Sequence, residues 1–282
     1  MPRNSTEVGK RRTYTYKGVT YPSVTTLLKG YPQEWAIPFG AKHAAERAMT
    51  PEFIRRWHEM NEADEEYSML RESLLKWTKA APMERRDAAA DAGTDLHAYL
   101  EWRLNGRSID DWFLYRSQFD MVEGERAVEQ FLDMYRPEPV YVESQVVSIT
   151  EGYAGSFDAI VDIYGKRWLL DLKTATSYDP LAQRPSDAGG DHKDRLQLAA
   201  YRYADIIFED DRDIGPMPLV DGALILAIPR EHPQAWRPIE VDAGPETYRR
   251  FLDFKRSWLW YDQNKKAPIG EHLLAQAVED VA

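Results

Sequence analysis

Gly155-Ser156-Phe157-Asp158-Ala159-Ile160-Val161-Asp162, followed by Trp168-Leu169-Leu170-Asp171-Leu172-Lys173-Thr174, reads as two successive strands, each carrying an acid in an apolar setting. In a strand, residues i and i+2 share a face, so Asp171 and Lys173 project together while Leu170 and Leu172 point the other way into a core. An acid and a lysine in what reads as a central strand need a reason, because buried carboxylates are rare unless paired or metal-bound. Asp158 at the end of one strand and Asp171-x-Lys173 on the next can hold a divalent metal beside a lysine. That donor set points to metal-dependent hydrolysis of a phosphodiester.

Working outward, Val140-Tyr141-Val142-Glu143-Ser144-Gln145-Val146-Val147 supplies a strand before these two, and Tyr164-Gly165-Lys166 turns between them. Ser177 to Asp191 is polar, with two prolines and Gly189-Gly190, and reads as a long loop of the kind that is functional or disordered. His192 to Phe208 reads as a helix, Asp221 to Ile228 as a buried strand, Arg237 to Val241 as a shorter one, and Pro245 to Asn264 as a final helix. Upstream, Arg12 to Tyr16 and Val19 to Tyr21 flank Lys17-Gly18 as a hairpin. Ser23 is placed to cap a short helix from Val24 to Leu28, closed by Gly30 and Pro32. Helical patterns follow over 33–49, over 51–104 with breaks at Pro51 and Pro82, and over 115–135. The expected fold is mixed α/β (α+β): a mixed β-sheet core flanked by helices, with a helical N-terminal half. With no repeat or linker, residues 1–282 are read as one unit: a mainly helical part over 1–135 opened by the hairpin, a core over 136–267 and a tail over 268–282.

Composition bounds the function. The chain has 282 residues, a formal net charge of −11 and no cysteine. No disulfide, zinc-thiolate site or cysteine-ligated iron–sulfur cluster can form. The acidity counts against nonspecific coating of nucleic acid, but not against a local basic groove beside an acidic pocket. No apolar run approaches a membrane span, and the N-terminus lacks an apolar signal core, so the expected location is the cytoplasm, with no membrane partner.

Each candidate residue also has a plain structural reading. Asp158 alone is as well explained as a strand-end acid capping a backbone amide, and Lys173 as the ion-pair partner of Asp171. Asp162 reads as a solvated strand residue. His97 lies in Gly93-Thr94-x-x-His97, with Glu101 four residues on along the same helical face, and Gly93 would let that helix approach the sheet closely. Gln197 and Tyr201 lie four apart on the helix after the Asp-x-Lys strand, sharing a face with Asp194; taken singly they are an ordinary amphipathic helix.

Gly-Thr-x-x-His, Gly-x-x-Asp, Asp-x-Lys and Gln-x-x-x-Tyr, in that order over residues 93–201, resemble the PD-(D/E)xK nuclease superfamily, and within it the RecB-like exonucleases, many of them phage-encoded. Pro22-Ser23-Val24-Thr25-Thr26-Leu27-Leu28 resembles the opening of relatives in the phage and mitochondrial-type groups. The resemblance implies a restriction-endonuclease-like core binding Mg²⁺ or Mn²⁺. His97, Asp158 and Asp171 would be metal ligands, with the Leu172 carbonyl completing the shell. Asp158, Asp171 and Lys173 would carry catalysis, with Gln197 and Tyr201 steadying the site and the DNA, and Glu143 a possible extra acid. The cysteine-ligated cluster of some members has no ligands here. The implied activity is a metal-dependent DNA exonuclease in phage replication or recombination, with a partner from either process. The rivals are a structure-specific or flap endonuclease, and a catalytically silent DNA-binding or scaffold protein. Trp35 and Trp57 in the helical half are either base-stacking or core residues.

Overall fold

The computed structural model describes residues 5–8, 11–31, 36–63, 66–112, 122–174, 178–179, 184–185 and 192–264. Trp35, residues 115–121, most of the loop over 177–191 and the tail over 268–282 lie outside them.

The N-terminal hairpin forms as expected, β2 (Arg11–Tyr16) turning through Lys17 and Gly18, both at positive φ, into β3 (Val19–Pro22). A third strand, β1 (Ser5–Val8), pairs with β2. Ser23 caps α1 (Val24–Leu27) by accepting a hydrogen bond from the Thr26 amide, a device worth about 1 kcal/mol. Next come α2 (Ala36–Ala48) and α3 (Pro51–Glu62), whose proline sits in the first turn, where a missing amide hydrogen costs nothing. The expected break at Pro82 does not occur: α4 runs unbroken from Tyr67 to Leu104. Near that proline, the Trp77 carbonyl accepts a hydrogen bond from Arg47 Nη1 at 2.9 Å, which ties α4 to α2. The short α5 (Ile109–Trp112) and α6 (Val122–Tyr135) complete this half.

β4 (Glu138–Ser148), β5 (Tyr153–Ile163) and β6 (Lys166–Lys173) follow as an antiparallel run. A two-stranded ribbon, β7 (Tyr178–Asp179) with β8 (Arg184–Pro185), lies within the segment read as loop. α7 (His192–Arg202) ends six residues before the expected Phe208, and Ile206 to Phe208 belong instead to β9 (Ile206–Glu209), which pairs with β4 and with β10 (Arg212–Pro216). The β-branched pair Ile206-Ile207 favours that extended state. β11 (Gly222–Ala227) runs parallel to β6, β12 (Arg237–Val241) pairs with β11, and α8 (Pro245–Asn264) closes the fold. The main sheet has seven strands in the order β10-β9-β4-β5-β6-β11-β12. The fold is the mixed sheet with flanking helices that the sequence predicts.

Two apolar layers sandwich this sheet. On one face Tyr153, Phe157, Ile160 and Leu169 bury with Val24 and Leu27 of α1, Leu198 and Tyr201 of α7 and Phe251 of α8. On the other, Ala159, Val161, Leu170 and Leu172 bury with Leu96 and Leu100 of α4 and Val128 and Phe131 of α6. Strict alternation would keep Phe157 and Ala159 on one face. They lie on opposite faces, so the pleat of β5 inverts at Asp158. The inversion has a counterpart in β4, where Glu143 takes a φ of 46° between the paired Val142 and Ser144. Among the described residues, no helix is long and apolar enough to cross a membrane.

Candidate metal centre

β5 and β6 are paired only as far as Ala159 and Leu170, and beyond that row they part. Asp158 stands at the point of parting, with a side chain that replaces the lost ladder: its Oδ2 accepts the Leu172 amide at 2.7 Å. The amide-capping role and the site role therefore coincide in one carboxylate. The Lys173 carbonyl accepts from Ile228 on the β11 side, so the Leu172 amide and carbonyl face the opposite side, into the gap between β5 and β6.

Into this gap α4 brings His97, whose Nδ1 lies 2.8 Å from Asp158 Oδ2. Gly93, one turn earlier, keeps the helix close: a Cβ there would meet Thr174 Oγ1 at 3.2 Å. Glu143 enters from β4. The ligand atoms of His97, Glu143 and Asp158 all lie within 4.8 Å of one another. Asp171 is not one of that set. It is 4 % exposed, and its Oδ2 is drawn to Lys173 Nζ at 2.5 Å with no well-directed hydrogen bond, so it stands beside the cluster rather than in it. Lys173 also lies 4.0 Å from Asp194 on α7.

The electrostatics follow from burial and from these pairings. Burial pushes the Glu143 carboxyl up to about 8, helped by Asp158 and Glu101. Burial also raises Asp171 to about 6, against the pull of Lys173. Burial works against charge on both His97 and Asp158, but each outweighs it for the other: the imidazole is held above its ordinary value and the carboxylate below it. Burial opposes the Lys173 ammonium as well, yet Asp171 and Asp194 hold it well above the usual lysine range. Asp171 and Asp194 thus favour Lys173 as a cation, able to donate and attract.

Tyr201 is 2 % exposed. Its ring fills the space over Gly155, where a Cβ would collide with it, and its hydroxyl is within reach of the half-buried Gln197. The Gly-x-x-Asp and Gln-x-x-x-Tyr segments thus meet physically, and Tyr201 supports the strand that carries Asp158. Trp57 is 45 % exposed on α3 and outside the core.

Glu143 is the residue that sequence reasoning left at the margin. Its signal is conformational: a non-glycine residue in the left-handed region within a strand costs about 1–3 kcal/mol, and such strain gathers at functional sites. The donors suit a hard divalent ion, with two carboxylates and an imidazole converging, a third carboxylate adjacent and a main-chain carbonyl facing the gap. No protein-family model matches the chain, and no curated protein matches it.

Proposed function

We propose that this protein is a Mg²⁺- or Mn²⁺-dependent nuclease that hydrolyses phosphodiester bonds of DNA, acting as an exonuclease. The observation that carries this reading is the convergence of His97, Glu143 and Asp158 at the parting of β5 and β6, beside the Asp171–Lys173 pair. His97, Glu143 and Asp158 would hold the ion, with Asp171 and the Leu172 carbonyl beside it. When bound, such an ion supplies positive charge for the phosphate oxygens and makes water more acidic. Lys173 attracts the scissile phosphate and orients the attacking water through its ammonium hydrogens. The water oxygen bonds to phosphorus as the water gives a proton to bulk solvent, the ester bond opposite it breaks, and the departing oxygen takes up a proton from solvent. On this reading the chain works in the cytoplasm on DNA ends, in phage replication or recombination.

The test is degradation of end-labelled linear and closed circular DNA with Mg²⁺, Mn²⁺ or EDTA, for wild type, Asp171→Ala and Lys173→Ala. Metal-dependent loss of linear DNA alone, abolished in both variants, supports the exonuclease; cutting of circles replaces it with the endonuclease. No cleavage by the wild type with either metal overturns the nuclease reading.

A further inference from the structure

The N-terminal hairpin is built into the wall of this site. The Arg12 main chain is fixed from both sides: its amide donates to Thr26 Oγ1 at 2.9 Å, and its carbonyl accepts from Thr26 Oγ1 at 3.0 Å and from the Ser23 amide at 3.1 Å. Ser23 in turn bridges to Ala154 on β5, locking hairpin and cap to the main sheet. Tyr14, two residues along β2 and 2 % exposed, buries against the group that holds Val147 and Ala154.

β4 and β5 lead in rows from the hairpin towards the metal set: Val147 with Ala154, then Gln145 with Ser156, then Glu143 and Asp158, which fall between the paired rows Ser144–Phe157 and Val142–Ala159 and are not themselves paired. Successive rows on one face lie about 7 Å apart. Arg12 and Tyr14, two apart on β2, share a face, and the Tyr14 hydroxyl is hydrogen-bonded to the Arg12 side chain and feels the charge of the Glu143 carboxylate. In that middle row, Gln145 Oε1 and Ser156 Oγ are buried without a hydrogen-bond partner, although Gln145 is only 6 % exposed. Buried polar groups of this kind are normally satisfied. The packing between hairpin and metal set thus contains polar atoms, and Arg12 itself is half-buried.

An anionic strand reaching this site meets Glu143, Asp158, Asp171, Glu101 and Asp194. Lys173 is committed to the scissile position. We propose, resting on the nuclease reading above, that Arg12 is a substrate-binding residue, its guanidinium holding the backbone phosphate next to the scissile one, with Tyr14 fixing its direction. A guanidinium suits this because its planar fork matches two phosphate oxygens, whereas an ammonium offers only a point charge.

The experiment measures binding of a short fluorescent single-stranded DNA in EDTA across a salt series, and single-turnover cleavage in Mn²⁺, for wild type, Arg12→Ala, Arg12→Lys and Tyr14→Phe. Mn²⁺ affinity by calorimetry and circular dichroism report whether each variant keeps its site and fold. Arg12→Ala is expected to weaken DNA binding about tenfold and to lessen the slope of log affinity against log salt by about 0.7, with Mn²⁺ affinity unchanged. Arg12→Lys should keep the salt slope and recover only part of the affinity. A folded Arg12→Ala with wild-type affinity and slope, from a wild type that cleaves DNA, overturns the role of Arg12 alone. A wild type that binds Mn²⁺ but neither binds nor cleaves DNA overturns the nuclease reading itself. Should Arg12→Ala lose its fold, Arg12→Lys decides: wild-type affinity refutes the requirement for the planar fork.

Discussion

Nδ1 of His97 and the Leu172 amide converge on a single oxygen, Oδ2 of Asp158, at 2.8 and 2.7 Å. One carboxylate therefore ties α4 to β5 and holds the parted end of β6. The pair has a defined pH window. With the Asp158 carboxyl depressed, its contribution to stability is lost as pH falls through the folded value. With the His97 imidazole raised, its contribution is lost as pH rises through the folded value.

Asp158→Asn is accordingly expected to abolish cleavage and to lower the imidazole pKa of His97. NMR titration of the ring protons in the metal-free protein checks the second effect independently of activity. An unchanged His97 titration would contradict the pairing.

Glu143, pushed up to about 8, is largely protonated at pH 7 before metal arrives. Ligation requires the Glu143 carboxylate and an imidazole that has given up its extra proton, and both groups are held above their ordinary values. Mn²⁺ uptake at pH 7 should therefore release protons from both, fewer as pH passes 8, and affinity should climb with pH between 6 and 8. Calorimetry in buffers of different ionisation enthalpy counts the protons. Glu143→Gln should bind more weakly and release fewer. Because the folded value is raised, metal-free stability from this group is full below the ordinary glutamate range and declines towards pH 8; Glu143→Gln should flatten that decline.

Lys173→Ala strands a buried carboxylate at Asp171. Breaking such a pair costs about 3–5 kcal/mol, and the loss should grow as pH rises above 6, where the orphaned group is forced to ionise. Asp171→Asn combined with Lys173→Ala should regain most of the stability but none of the activity. Urea unfolding at pH 5 and pH 8 separates the cases; a single variant as stable as wild type at pH 8 would contradict the pairing.

At Gly155 there is no room for a methyl group beneath the Tyr201 ring. Gly155→Ala should destabilise by about 1–3 kcal/mol and slow cleavage by shifting β5. The same substitution in a Tyr201→Leu background should cost less, which a double-mutant cycle reads directly.

Pro82 interrupts the hydrogen-bond ladder inside α4. Pro82→Ala is expected to raise stability by about 1–3 kcal/mol, measured as a rise in thermal midpoint with cleavage unchanged. A fall would mean that the packing around Arg47 depends on the proline.

Much of this was legible from local chemistry. Ser23 announces its helix, Lys17-Gly18 its turn, and the Leu170/Leu172 against Asp171/Lys173 alternation holds in β6. What escaped depends on tertiary partners. α4 runs on through Pro82 where Arg47, on another helix, ties down the chain beside it. Ile206 and Ile207 leave the helical pattern because β4 offers them an edge. Glu143 joins His97 and Asp158 only because β4 and β5 invert their pleat together, and a period-2 reading assumes no inversion. Tyr201, chosen for its spacing from Gln197, is buried because Gly155 opens a slot that no single-segment pattern reveals.

The sheet order carries one last consequence. Between β6 and its parallel neighbour β11 the chain departs through α7, lays β9 and β10 at the far edge beyond β4, and only then returns. Such distant pairings form late, after the large loops have closed. A ribosome-bound chain that has already exposed His97, Glu143, Asp158 and Asp171 still lacks the strand that flanks β6 until residue 227 has emerged. Completion of the site is therefore tied to completion of the sheet, and shorter chains carry these side chains without the strand that sets β6 in place.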